Sequence, residues 1–292
     1  MGISPHAVKI GRAGWAPVLV VLAAAIVYSA APVGQTVSFN PDVGVGGYAG
    51  PITPIAEPVT LRITEAPVVE GRLRLEHSDP NLALPKLSEV RLQGSIRAEG
   101  AGFRFEANVP EILLDGRRLP VPGILLAASG LMDARGAWSA AEIDPLPQIR
   151  TPDKGKLIPV GGQLVGRKLS TGPIFNARPV RANDDLFASR ELDRRLTASE
   201  GDDYSITRNT LSARARGLTV IEGRPYVVGL VAGLIEIVAK NGDAYQITPL
   251  GHILIDRTNG LPRGTIRATM AGIEGGRAIN RSANLTFELL AK

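Results

Sequence analysis

Residues 211–270 read LSARARGLTVIEGRPYVVGLVAGLIEIVAKNGDAYQITPLGHILIDRTNGLPRGTIRATM, and this stretch decides the fold. Short apolar, β-branched runs alternate in it with Gly-containing turns at residues 222–224, 241–243 and 258–260. Asn-Gly is a strong hairpin signal, because both residues tolerate a positive φ. The stretch therefore predicts an antiparallel meander.

Alternating apolar and charged residues extend this prediction along most of the chain. The pattern recurs at residues 59–63, 72–75, 90–93, 103–107 and 283–290. A period of two places apolar side chains on one face of a sheet and charged side chains on the other. Asp115-Gly116 adds a further hairpin turn. We expect a mostly β protein whose antiparallel meander forms a curved sheet, a half-barrel or a sandwich.

One segment has the period of a helix instead. Asp184 or Asp185 can cap a helix whose apolar stripe continues through Phe187, Leu192 and Leu196. Gly201 is placed to end it. The sequence thus predicts one short helix near residues 184–198.

The N-terminus has the features of an export signal. Lys9 and Arg12 precede an apolar run at residues 15–27, which small residues follow up to position 31. A run of this length suits a cleaved signal peptide, whereas the uncharged flank also suits an uncleaved signal anchor. Both alternatives predict an exported protein, either periplasmic or extracellular, or held at the inner membrane by residues 13–33. An exported chain without cysteine is unremarkable in a bacterium and less usual for a small secreted eukaryotic domain.

Composition divides the rest of the chain into three parts. Residues 32–58 are rich in Gly and Pro and are expected to form a linker. Residues 59–146 form a first β-rich region, and residues 147–292 a second β-rich domain. Residues 33–150 carry a net charge of −3 and residues 151–292 a net charge of +6, so we expect the second domain to have a basic surface.

The second domain resembles a group of uncharacterised secreted bacterial β-sheet domains, over about residues 146–292. The similarity lies in a Pro-rich entry, a Gly-Arg-Pro-Tyr strand start at residues 223–226, and a closing hairpin at residues 251–262. That hairpin resembles the group's Asp-x-x-Thr-Gly-Leu-Pro pattern, with Asn259 as one additional residue before Gly260. The resemblance implies a curved sheet or half-barrel, and it implies no catalytic residues.

Several kinds of active site lack their residues. There are no cysteines, and the three histidines show no paired spacing, so neither a thiolate nor a zinc centre is expected. Gly-x-Ser-x-Gly and the Gly-rich phosphate-binding loops are also missing. We therefore expect no cofactor, no metal and no catalytic residues. A hydrolase with a dispersed site around Asp243, His252 and Asp256 is the alternative hypothesis.

Four arginines are the candidate ligand-binding residues. Arg214 and Arg216 are spaced to share one strand face, and Arg263 and Arg267 to share another. Arginine binds phosphate and carboxylate groups through two parallel hydrogen bonds, although alternating Arg also suits any half-exposed strand. The expected partner is an anionic envelope polymer, a lipid or another envelope protein. Nucleic acid is not expected, because aromatic residues do not alternate with the basic ones.

Three functions remain open from the sequence. The leading hypothesis is a non-enzymatic envelope protein that binds its partner on a β-sheet scaffold. In one version the sheet holds an apolar ligand, although filling a core is the more ordinary role of the same side chains. These side chains are Leu230, Leu234, Ile237, Val238, Ile253 and Ile255. The second hypothesis is the hydrolase, and the third is a purely structural protein that assembles through a free strand edge.

Overall fold

The computed structural model describes residues 45–77, 86–118, 127–143, 149–150, 157–158, 168–169, 172–187 and 204–292. Every regular element in these ranges is a β-strand. They contain no helix of the length and apolarity needed to cross a membrane. The predicted export segment lies outside the described residues, as does most of the predicted helix.

The strands fall into two series along the chain. The first series is β1 (Ala66–His77), β2 (Leu87–Glu99), β3 (Gly102–Leu114), β4 (Arg117–Arg118), β5 (Ala127–Met132), β6 (Trp138–Ile143), β7 (Ile149–Arg150), β8 (Leu157–Ile158) and β9 (Lys168–Leu169). The second series is β10 (Tyr204–Asn209), β11 (Ser212–Ile221), β12 (Arg224–Ala232), β13 (Ile235–Ala239), β14 (Ala244–Asp256), β15 (Pro262–Glu274) and β16 (Arg277–Ala291).

Fourteen of these strands form one antiparallel sheet, which confirms the prediction of a mostly β, antiparallel protein. From β11 the order is β12, β14, β15, β16, β1, β2, β3, β5, β6 and β9. Strands β12 and β13 lie end to end along β14, because residues 226–232 pair with residues 250–256 and residues 235–238 with residues 244–247. Strand β16, the last of the chain, pairs with β1 and so places both series in the same sheet.

The turns of the meander lie where the sequence predicts them. Glu222 and Gly223 have φ values of 51° and 78° between β11 and β12, and Asp115 and Gly116 have 48° and 76° between β3 and β4. Two successive positive φ values give the turn a twist that matches the flanking strands. These hairpins follow from local backbone preferences alone.

The two faces of the sheet differ. On β14 the odd-numbered residues are buried, and Ile253 and Ile255 are among those that belong to the main hydrophobic core, so we call their side the core face. The opposite side is the outer face. The predicted strand at residues 59–63 is wrong: these residues make only one bridge, between Val59 and Val180. The alternation there has another cause, since Leu61 is buried in the core and Arg62 is exposed.

Residues 172–187 connect two distant strands of the sheet. The Phe175 N–H donates to the carbonyl of Arg135 in the β5–β6 turn, at 3.0 Å, and Phe175 forms a bridge with Phe187. The neighbouring Leu186 N–H donates to the carbonyl of Ala213 on β11, at 2.8 Å. Nine neighbour-to-neighbour steps separate β11 from β6 within the sheet, which is roughly 40 Å when flat. The sheet therefore bends, and the core lies inside the bend.

The predicted helix is wrong at its start. Asp184 and Leu186 lie along the edge of β11, where the Ala215 N–H donates to the carbonyl of Asp184 at 2.8 Å. Leu186 is fully buried and packs against Gly229. Burial of Leu186 and pairing with β11 outweigh the local helix preference. The helix prediction for residues 188–198 falls outside the described residues.

Candidate binding face

Residues 45–53 cross the outer face of β11, β12 and β14, and we call this segment the strap. Tyr48 of the strap is buried in a small cluster with Tyr226, Val228 and Leu254. Its hydroxyl lies 2.9 Å from Oγ1 of Thr219. The sequence predicts a linker for residues 32–58, and it gives no sign that residues 45–53 pack on the sheet.

The strap explains an abrupt change in the burial of β14. From Ala244 to Leu250 exposed and buried residues alternate, whereas from Gly251 to Asp256 every residue is buried. The change begins where Gly46 lies against the carbonyl group of Gly251. A Cβ atom on Gly46 would overlap that carbonyl oxygen, and Gly46 also has a φ of 55°. Only glycine fits this crossing without strain.

His252 is held beneath the strap. Its Nδ1 lies 3.1 Å from the carbonyl oxygen of Gly46, and its ring is 5.4 Å from that of Tyr48. Because a carbonyl only accepts hydrogen bonds, Nδ1 carries the proton in the neutral ring. Burial lowers the pKa of His252, and the charge of Arg263 lowers it further, although the Gly46 carbonyl acts in the opposite direction.

An ion-pair row crosses the outer face beside the strap. Arg263 pairs with Glu288 at 2.8 Å, and Arg72, the Cα partner of Glu288 on β1, pairs with Glu89 at 2.7 Å. The remaining pairs are Arg91–Glu89 at 3.4 Å, Arg91–Glu111 at 2.9 Å and Arg118–Glu111 at 3.4 Å. The row therefore joins β15, β16, β1, β2, β3 and β4.

The two acidic residues of this row that are buried differ in their pKa. Burial acts to raise the pKa of Glu89, but hydrogen bonds and charge from Arg72 and Arg91 outweigh burial and lower it. For Glu288 burial prevails over the charges of Arg263 and Arg72 and raises the pKa to about 7. Oε2 of Glu288 and Nε of Arg72 are buried with no hydrogen-bond partner within the described ranges. The row thus contains a carboxyl group that gains or loses a proton near neutral pH.

The four predicted arginines have different environments. Arg263 is committed to Glu288, and its guanidinium lies 5.8 Å from the centre of the Tyr226 ring. Arg214 is exposed, with Nε 3.8 Å from Oδ1 of Asp185. Arg216 lies in a β-bulge of β11 and donates to Oδ1 of Asn183.

Arg267 is exposed on the outer face, and within the described ranges it forms no ion pair. It lies opposite Leu250, whereas Arg214 lies opposite Leu230. Gly46 contacts Leu230 and Gly251, so the strap begins between these two arginines. Three predicted arginines, 214, 263 and 267, therefore share the outer face, and Arg216 is separated from them by the bulge.

The residues of the hydrolase hypothesis are not brought together. Asp243 and His252 are nine residues apart on or beside one extended strand, which corresponds to roughly 30 Å. Asp243 accepts the N–H of Gly275 at 2.9 Å. The Asp256 carboxylate accepts the N–H and the hydroxyl of Thr258, at 2.8 and 2.6 Å, and so closes the β14–β15 turn. Each of these carboxylates has a local structural role.

The apolar residues of the lipid hypothesis do not share a face. Ile237, Ile253 and Ile255 belong to the core. Leu230 is half-buried beneath the strap, and Val238 is 38% exposed on the outer face. The edge of β11, relevant to the assembly hypothesis, is bridged at Leu218 by Thr53 and at Arg214 by Asp185.

Beyond the strap, the outer face of β13, of the first half of β14 and of the last half of β15 is open to solvent, and we call this region the open half. It presents three exposed apolar side chains: Val238 at 38%, Leu250 at 36% and Ile273 at 54%. Of these, sequence analysis singled out only Val238. Alternation along β14 and β15 indicates which side chains share a face, but not which face is buried.

No metal-binding group of three or more His, Asp or Glu residues occurs within the described ranges. No family model matches the chain, and neither the curated proteins nor the solved structures contain a significant match. The resemblance to secreted β-sheet domains stays a prediction.

Proposed function

We propose that this chain is an exported, non-catalytic envelope protein, whose curved, half-barrel sheet binds an anionic partner on its outer face. The observation that carries the proposal is the state of Arg267. This exposed guanidinium has no ion pair within the described ranges, whereas Arg263 on the same strand is committed to Glu288. An exposed arginine is free to bind phosphate, sulfate or carboxylate groups in bidentate fashion.

The surroundings of Arg267 support the same function. Arg214 lies on the same face, on the other side of the strap, where its Nε is 3.8 Å from Asp185. An Arg–carboxylate contact of this length on an exposed surface is weak, so an anionic ligand can replace it. The excess of basic residues in the C-terminal half also favours an anionic partner.

The non-catalytic part of the proposal is supported by how the polar candidates are used. His252 bonds to the strap, Asp256 closes a turn, and Asp243 holds the β15–β16 turn. A general base must lie within hydrogen-bond reach of a reacting group, and these side chains lie along one strand instead. Export is supported by Lys9, Arg12 and the apolar run that follows them.

The experiment is chromatography of the full-length protein on an immobilised sulfated polysaccharide, with elution by salt. The polysaccharide stands in for the anionic partner. We expect retention at low salt and earlier elution of the double variant Arg214→Gln, Arg267→Gln, because each removed charge weakens a screened attraction.

Arg117→Gln is the matched control, because Arg117 is an exposed arginine in a hairpin several strands away. Its elution should equal that of the wild type. Absence of retention at low salt, or equal weakening by Arg117→Gln, would overturn the proposal.

A further inference from the structure

We infer that the open half of the outer face rests on an anionic phospholipid surface, beside the point at which the strap leads toward residues 13–33. This rests on the proposed function, since it names the anionic partner. It adds an orientation, with β13, the first half of β14 and the last half of β15 directed toward lipid.

The first argument is the distribution of exposed apolar side chains. The large hydrophobic residues that are most exposed within the described ranges are Val68, Val220, Val238, Leu250 and Ile273. Three of them, Val238, Leu250 and Ile273, lie on the open half. Val238 and Ile273 are both partners of Ala244, so they lie roughly 10 Å apart across the sheet. Leu250 lies six residues along β14, roughly 20 Å from Ala244.

The second argument is the basic residues around these apolar side chains. Arg267 is the Cα partner of Leu250, and the exposed Lys240 and Arg277 lie in or beside the turns that follow Val238 and Ile273. No ion pair involves any of the three cations within the described ranges. Glu236, the acidic residue on this part of β13, lies 3.8 Å from Arg208. Apolar side chains flanked by cations match the interface of an anionic bilayer, where each contributes to binding.

The third argument is where the described chain begins. The strap starts at Val45 and Gly46, above Leu230 and Gly251 on the outer face. Residues 34–44 separate this point from residues 13–33, and eleven residues span at most roughly 40 Å. Residues 13–41 contain no charged side chain. An apolar segment placed in a membrane would thus hold the start of the strap within roughly 40 Å of that membrane.

The test uses the absence of cysteine, which makes every introduced cysteine unique. Full-length Leu250→Cys and Ile273→Cys are labelled with an environment-sensitive fluorophore and mixed with vesicles of equal parts phosphatidylcholine and phosphatidylglycerol. Val220→Cys is the matched control, because Val220 is 63% exposed and lies near the end of β11, outside the open half. We expect lipid-borne quenchers to quench the labels at positions 250 and 273, and not the label at position 220.

Charge dependence gives the second measurement. Quenching at position 250 should fall in vesicles of phosphatidylcholine alone. It should also fall when Lys240→Gln, Arg267→Gln and Arg277→Gln are introduced, because each removed charge lowers the vesicle binding constant by roughly fivefold. Arg117→Gln should leave the quenching unchanged.

Each alternative result has one meaning. Equal quenching at positions 220 and 250, or none at either, overturns the membrane orientation. Protection of position 250 that depends on protein concentration, without vesicles, would assign the open half to a second copy and also overturn it. In all these cases retention on the sulfated polysaccharide still tests the proposed function separately, and loss of that retention alone would overturn the proposed function.

Discussion

The carbonyl oxygen of Gly46 lies 3.1 Å from Nδ1 of His252, 206 positions later in the chain. This hydrogen bond joins the strap to β14. The strap buries the imidazole of His252 together with the aromatic cluster around Tyr48 and Tyr226. The outer face is thereby divided into a part that the strap covers and an open half that is exposed to solvent.

Gly46→Ala should detach the strap. The new Cβ would overlap the Gly251 carbonyl oxygen, and a positive φ also disfavours alanine. We expect a loss of roughly 2 to 3 kcal/mol in the free energy of unfolding, measured by urea titration.

Gly100→Ala is its control, because Gly100 has a φ of 60° and open space around it. Gly100→Ala should lower the free energy of unfolding by only about 1 kcal/mol, which is the cost of a positive φ in alanine. Equal losses for the two variants would mean that the strap does not contribute to stability.

His252 should make the protein less stable in acid. Its folded pKa lies below the ordinary 6.5 because of burial, so the folded state binds the proton less well than the unfolded state does. The stability that follows from this shift is full above about pH 6.5, and it is lost as the pH falls through the folded pKa. The free energy of unfolding of the wild type should therefore fall on acidification relative to that of His252→Gln.

Proton NMR of the imidazole gives an independent check on His252. In Gly46→Ala the midpoint of its titration should move up toward 6.5, because the ring becomes solvated. An unchanged midpoint in that variant would contradict burial by the strap as the cause.

Glu288 should have the opposite pH dependence. Its folded pKa of about 7 exceeds the ordinary 4.5, so the protonated form is favoured in the folded state. The resulting stability is present below about pH 4.5 and is lost as the pH rises through 7. Glu288→Gln should stabilise the protein by about 3 kcal/mol at pH 8, and by less than about 1 kcal/mol at pH 5.

Glu99→Gln is the control for Glu288→Gln. Glu99 pairs with Arg104 on an exposed part of the sheet, so its substitution should change the free energy of unfolding little at either pH. If Glu288→Gln shows no difference between pH 5 and pH 8, the carboxyl group is not buried as described.

Asp256→Ala should open the β14–β15 turn. The buried carboxylate accepts two hydrogen bonds from Thr258 and one from Nδ2 of Asn259. We expect the free energy of unfolding to fall by about 3 kcal/mol, because the donors on Thr258 and Asn259 lose a charged acceptor. Asp256→Asn, which keeps one acceptor oxygen, should lose less, and hydrogen exchange at Gly260 should rise most in the alanine variant.

Local signals were sufficient for the hairpins. Asp115-Gly116 and Glu222-Gly223 adopt the positive φ values that a tight turn requires, and this preference belongs to the residues themselves. The spacing of two likewise indicates that Ile253 and Ile255 share one face of β14, although the face that is buried follows only from the structure.

Long-range contacts decided what the sequence did not indicate. Leu186 is drawn from a predicted helix to the edge of β11 by burial against Gly229, a residue 43 positions away. Arg263 was predicted as a ligand-binding residue, but its partner Glu288 becomes its neighbour only when β15 pairs with β16. Neither outcome has a signal within a window of neighbouring residues.

The pairing of β1 with β16 determines when this protein is able to fold. Val69 and Ala291 are partners, so the first strand of the sheet waits for the last strand of the chain. Contacts of such sequence separation slow folding, because loop closure costs entropy before any contact forms. In the export that we propose, the N-terminal strands would reach the far side of the membrane first, with one edge of β1 unpaired. We expect the incomplete chain to depend on chaperones until β16 arrives.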